Sequence, residues 1–108
     1  MTKNELIKLH QSVCTKMHET IIAKNHDYGG EIDPFYNFKL CERLDVMSTE
    51  QGMLARMLDK VSRIASFIKQ DALQVKDESI EDTLMDLANY SILLLAYLES
   101  KREEKLWT

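Results

Sequence analysis

Glu78, Asp82 and Asp86 stand at four-residue intervals, with Asn89 one turn further on. That spacing puts all four on one side of a helix. Like charges so placed repel one another. A helix dipole offsets part of the repulsion, and a divalent cation offsets far more. Mg²⁺ is commonly held by a few carboxylates together with waters and substrate phosphates. The ladder Glu78–Asp82–Asp86 therefore fits a Mg²⁺ site, and ordinary capping by first-turn acids is the competing explanation. Leu93 continues the same line, so the acidic side runs into an apolar one and its carboxylates are expected to be partly buried.

A second charged group lies upstream. Arg56, Asp59 and Arg63 share one side of a helix, with Lys60 beside them. If this helix packs antiparallel to the later one, Asp59 joins Asp82 and Asp86 around a metal. Arg56, Lys60 and Arg63 then neutralise phosphate. An interhelical salt-bridge network without a ligand fits the spacing equally well. The segment Lys24-Asn25-His26-Asp27-Tyr28-Gly29 offers donors, an acid and a ring beside glycine. Lys24, Asp27 and Tyr28 there suit a nucleoside or a phosphate, since glycine lets backbone approach closely. The same residues also suit a plain helix end. His10, Cys14 and His18 are four apart but have no fourth ligand, and they read as a core thiol between two boundary histidines. There is no Walker-type or Rossmann glycine loop and no nucleophile elbow.

These groups need long helices to hold them. Thr2 and Glu5 fit a capping box, and Leu6, Leu9, Val13, Met17 and Ile21 follow at helical steps. The spacing predicts a helix from Lys3 to Asn25, broken at His26 ahead of the Gly29-Gly30 pair. Asp33-Pro34 predicts a short helix from Pro34 to Arg43. Ser48 and Gln51 open a third helix, reaching Lys69, with a stripe of Met53, Leu54, Met57, Leu58, Val61, Ile64, Ala65 and Ile68. Ser79 and Asp82 open a fourth, reaching Arg102, with Ile80, Leu84, Leu87, Ser91, Leu94, Leu95 and Leu98 as its main stripe. The later turns of this helix are apolar nearly all round, so it is expected to be buried on two sides. The charged tail from Lys101 is expected to fray. The fold class is all-α: a bundle of three long helices and one short one, forming a single domain over residues 1–108.

Composition sets the outer bounds. Three Gly and one Pro in 108 residues favour long helices over many strands and turns. A chain this short has a marginal core, and a homodimer or homotetramer supplies the missing cover. The net charge of −4, without a basic cluster, argues against binding duplex nucleic acid. The two cysteines lack a disulfide pattern and fit a reducing cytoplasm. The N-terminus lacks a signal-peptide run, and no apolar stretch is long enough to span a membrane.

Three blocks in order carry a family likeness: Lys24-Asn25-His26-Asp27-Tyr28-Gly29, then Arg56-Met57-Leu58-Asp59-Lys60-Val61-Ser62-Arg63-Ile64, then residues 78–90, Glu78-Ser79-Ile80-Glu81-Asp82 through Asp86 to Asn89-Tyr90. Together they resemble the phage and bacterial family called nucleotide modification associated domain 1, over about Lys24 to Leu98. That family looks like a distant branch of the MazG-like all-α nucleoside triphosphate pyrophosphatases. The resemblance implies an oligomeric, Mg²⁺-dependent enzyme of phage nucleotide metabolism. Such an enzyme splits a nucleoside triphosphate into monophosphate and pyrophosphate, in a bacterial or phage-infected cytoplasm. It implies that Asp82 and Asp86 match the acidic pair of the last core helix, that Asp59 matches the acid of the preceding helix, and that Asn89 is a polar site residue.

The chain departs from that pattern. The ExxE pair of the first helix is replaced by Arg56-x-x-Asp59-Lys60, and the second acidic pair is spaced by four instead of three. Nucleotide binding is thus better supported than hydrolysis. A non-catalytic nucleotide-binding or sequestering protein is the alternative to the pyrophosphatase, and a helical interaction module is the third reading.

Overall fold

The computed structural model describes residues 1–28, 33–70 and 79–107, with side chains for residues 1–24, 33–70 and 79–102. Four helices follow one another: α1 (Lys3–Tyr28), α2 (Tyr36–Arg43), α3 (Thr49–Gln70) and α4 (Ile80–Trp107). No strand occurs among the described residues. The chain is an all-α bundle of three long helices and one short one, as its periodicity predicts.

The helix starts are local and follow the capping residues. Thr2 accepts the Glu5 N–H at 3.1 Å while Glu5 accepts the Thr2 N–H at 2.9 Å. Ser48 and Gln51 repeat this reciprocal pair at 3.1 and 2.9 Å. Ser79 Oγ accepts the Asp82 N–H at 3.0 Å. Each bond satisfies an amide that has no partner within its own helix. Asp33 is not the N-cap of α2: its carboxylate accepts the Phe35 N–H at 2.9 Å, and Phe35 takes the cap position without a side-chain bond. Pro34 and Phe35 form a turn, and α2 begins at Tyr36 instead of Pro34.

Two helix ends lie further along than expected. α1 continues through His26 and Asp27 to Tyr28, the residue before Gly29. None of those three residues carries the penalty that glycine does. α4 does not stop near Arg102 but runs to Trp107, because the tail is rich in Glu, Lys and Leu and lacks Gly and Pro.

The end of α2 is closed by a left-handed residue. Asp45 has φ of 59°. Its N–H donates to Glu42 O at 3.0 Å, and the Val46 N–H donates to Cys41 O at 2.9 Å. This is the Schellman arrangement, with aspartate where glycine is usual.

The core is small and aromatic. Phe35, Phe38, Met53, Tyr90, Leu93 and Tyr97 are its buried members. Phe35 meets Tyr97 edge to face with centroids 5.4 Å apart, and Phe38 meets Tyr90 at 6.3 Å, the geometry favoured by ring quadrupoles. Gly52 of α3 packs against Cys41 of α2.

The inward side of α4 differs from the expected stripe. Thr83, Asn89, Tyr90, Leu93 and Tyr97 are buried, while Leu84, Leu95 and Leu98 are exposed. A helix that is apolar nearly all round has no single preferred face, and here the large rings take the interior. α3 splits its stripe: Met53 is buried and Met57 packs on the core, but Leu54, Leu58, Val61 and Ile68 are exposed. Among the described residues, α1 meets the body through Met17, Ile21 and Lys24 in its second half. Leu6 and Leu9 are exposed, and so is Cys14, which is therefore not a core thiol.

Replacing Asp45 by glycine removes the left-handed strain without touching the core. Asp45→Gly is expected to stabilise the protein by about 0.5–1 kcal/mol, read as a higher urea midpoint with an unchanged slope.

Candidate functional site

Three helices bring one charge each to a common point. Asp86 of α4 lies partly buried between Lys24 of α1 and Lys60 of α3. Lys24 Nζ donates to Asp86 Oδ1 at 3.1 Å, and Lys60 Nζ lies 3.1 Å from Oδ2. Lys60 is well covered, whereas Lys24 keeps 38% of its side chain exposed and so opens the cluster to solvent. Burial pushes the Asp86 carboxyl up, but the hydrogen bonds and charges of Lys60 and Lys24 outweigh it. The net result is a carboxyl held below its ordinary range.

The antiparallel packing of α3 and α4 sets this register. Lys60 reaches Asp86 midway along the pair. Near one end, Lys101 of α4 donates to Glu50 of α3 at 3.0 Å and sits 5.6 Å from the Tyr97 ring centre. Asn89 ties α4 to α1 by donating to Met17 O at 3.2 Å. It is buried, and its amide holds the helices together.

The expected metal group does not assemble among the described residues. Both Asp86 oxygens face ammonium groups. Asp59 is more than half exposed and pairs with Arg63 of its own helix at 3.2 Å. Asp82 is exposed, with its N–H capped by Ser79. No group of three His, Cys, Asp or Glu side chains that could hold a metal is found among the described residues. Among the described residues this donor set offers no resident Mg²⁺ site. Glu78 and the side chains of Asp27 and Tyr28 lie outside the described residues. Arg56 is exposed on α3, and Arg63 is part-exposed one turn beyond Lys60.

Beside the charge cluster runs an apolar groove of about 480 Å³, lined by Ile21, Ile22, Phe35, Ile92, Leu93 and Ala96 together with Pro34. Ile21 lies one turn before Lys24 on α1, and Leu93 two turns after Asp86 on α4. The groove and the cluster therefore share the seam between α1 and α4. Spacing brought the Lys60 and Asp86 sides together through antiparallel packing, with an interhelical salt bridge as one of the two readings, but it left Lys24 as a separate group. No spacing pairs residues on three different helices.

A family model described as nucleotide modification associated domain 1 matches residues 24–98. The chain belongs to that family. The match begins at Lys24 and contains the whole Lys24–Lys60–Asp86 cluster. In this nucleotide modification associated domain, no helix among the described residues is long and apolar enough to cross a membrane. Neither comparison with curated proteins nor comparison with solved structures gave a match.

The cluster also makes stability depend on pH. A carboxyl depressed in the folded state contributes stability above its unfolded pKa, and that contribution is lost as pH falls through the folded value. Asp33 and Glu50, lowered mainly by Lys39 and Lys101, act in the same direction. Asp86→Asn is expected to cost about 2 kcal/mol at pH 7, because two lysines lose their shared partner. The gap between wild type and variant should close as pH falls below the ordinary carboxyl range. Urea titrations at pH 7, 5 and 3 check this.

Proposed function

We propose that this chain binds nucleotides, with phosphate held by Lys24 and Lys60 and the nucleoside laid along the apolar groove, and that it does so as a homo-oligomer. The observation that carries the reading is the convergence of two lysines from different helices on one carboxylate. Two ammonium groups meet one carboxylate beside a groove that can take a base. Arg56, exposed on the neighbouring arc of α3, adds a further cation. Ammonium groups bind phosphate as point charges, and Lys24 is exposed enough to turn from Asp86 to a ligand. Ligand sites commonly combine an apolar wall with a few convergent polar groups. The family description, nucleotide modification associated, agrees with this chemistry.

Binding is favoured over hydrolysis because the acids that would hold a metal are dispersed or taken by lysines. Mg²⁺ would then enter with the nucleotide's own phosphates, with Asp82 as an exposed carboxylate on the same helix as Asp86. A pyrophosphatase is the second reading. It draws on the carboxylates Asp59, Asp82 and Asp86, and it requires them to regroup when substrate is bound.

Titration calorimetry with each common NTP and dNTP tests the proposal, with and without Mg²⁺. Binding is expected to weaken with salt. Lys24→Gln and Lys60→Gln should each raise the dissociation constant by roughly tenfold or more, as for the loss of one charge-assisted hydrogen bond. Binding without pyrophosphate release supports a binding protein. Release that is lost in Asp86→Ala makes it a pyrophosphatase. No binding to any nucleotide overturns both readings.

A further inference from the structure

The side of the α3–α4 pair turned away from α1 and α2 carries apolar residues at regular intervals. On α3 they are Leu54, Leu58, Val61, Ala65 and Ile68, at steps of four and three. On α4 the same steps give Leu84, Ala88, Ser91, Leu95 and Leu98. Alternation of four and three is the spacing of a helix seam that packs on another helix. None of these ten positions is charged, although 30% of the chain is.

The direction of both stripes follows from the contacts. On α3, Gly52 faces α2 through Cys41, and Leu54 lies about 200° around the helix from it. On α4, Asn89 faces α1 through Met17, and Ser91 likewise lies about 200° away. The stripes thus flank the α3–α4 contact on its uncovered side.

Seven of the ten side chains are between 42% and 75% exposed: Leu54, Leu58, Val61, Ile68, Leu84, Leu95 and Leu98. At about 180 Å² per side chain they present roughly 700 Å² of apolar surface, close to the ~800 Å² per partner of a standard stable interface. The shape agrees. The radius of gyration is 16.1 Å, against about 13 Å for a compact domain of this length. The thinnest dimension is 22 Å, about two helix diameters. Among the described residues, no other element covers this side of the α3–α4 pair.

We infer that the Leu54–Ile68 stripe of α3 and the Leu84–Leu98 stripe of α4 pack against the same face of a second copy, closing a four-helix layer about a two-fold axis. The inference gives the oligomer of the functional reading its surface, and it holds or fails independently of nucleotide binding. A self-complementary face suits a two-fold pair, because each stripe meets its counterpart in the same environment. It also leaves the Lys24–Lys60–Asp86 cluster and the groove free, since these lie on the α1 side.

Sedimentation of the full chain at micromolar concentration is expected to show a dimer or a multiple of it. Leu58→Glu and Leu95→Glu should each raise the dimer dissociation constant by about 100-fold or more. Both positions are exposed in the single chain, so helical circular dichroism should persist. Ser91→Arg is a further variant at a position already polar, for use if either glutamate lowers helicity. Leu44→Glu, exposed but off the stripes, should leave the dimer intact. A wild-type monomer overturns the inference together with the oligomer. A dimer that survives all three stripe variants overturns the assigned face alone, and calorimetry on the same samples reports nucleotide binding separately.

Discussion

The Lys24–Asp86–Lys60 cluster is the constraint on which the rest of the structure turns. It joins α1, α3 and α4 at one carboxylate, and each partner comes from a distant part of the chain. A partly buried aspartate with a single counter-ion would be a costly group. With two, its desolvation is offset, and the register of three helices is fixed by one contact. Asn89 and the Glu50–Lys101 pair secure the same arrangement at other levels.

The small aromatic core works within that frame. Phe35, Phe38, Tyr90 and Tyr97 interlock edge to face where α2 closes against α3 and α4. Their size lets a few residues fill the interior of a short chain. The same choice turns the leucines of α4 outward. A chain of this length cannot bury all its apolar residues by itself; part of the surplus lines the open side of the α3–α4 pair, and the rest lies on α1, around α2 and at Ile92. The charge cluster and the groove lie on the α1 side, and the Leu54–Ile68 and Leu84–Leu98 stripes lie on the opposite one.

Several features were readable in the residues alone. The capping pairs Thr2–Glu5 and Ser48–Gln51, and the Ser79 cap, act over three residues, so sequence order holds all the information they need. The Asp45 turn is equally local, yet aspartate gave no signal that glycine would have given. Residues for the site were also visible as types: Lys24, Lys60 and Asp86 each stood out. The α3–α4 salt bridge was one of the readings, whereas the part of Lys24 in it was not visible. Asp59, which shares a helix side with Arg63, pairs there, while its neighbour Lys60 makes the long-range contact.

The sequence by itself determined the helices, because caps and propensities are properties of neighbours along the chain. It also determined that apolar surface would exceed what one chain can cover. The tertiary structure decided which faces turn inward. α4 is apolar on nearly every side, so no periodicity could choose between its leucine stripe and its tyrosines. The choice came from ring packing against α2 and from the two lysines that draw Asp86 inward, and both are interactions between residues far apart in the chain.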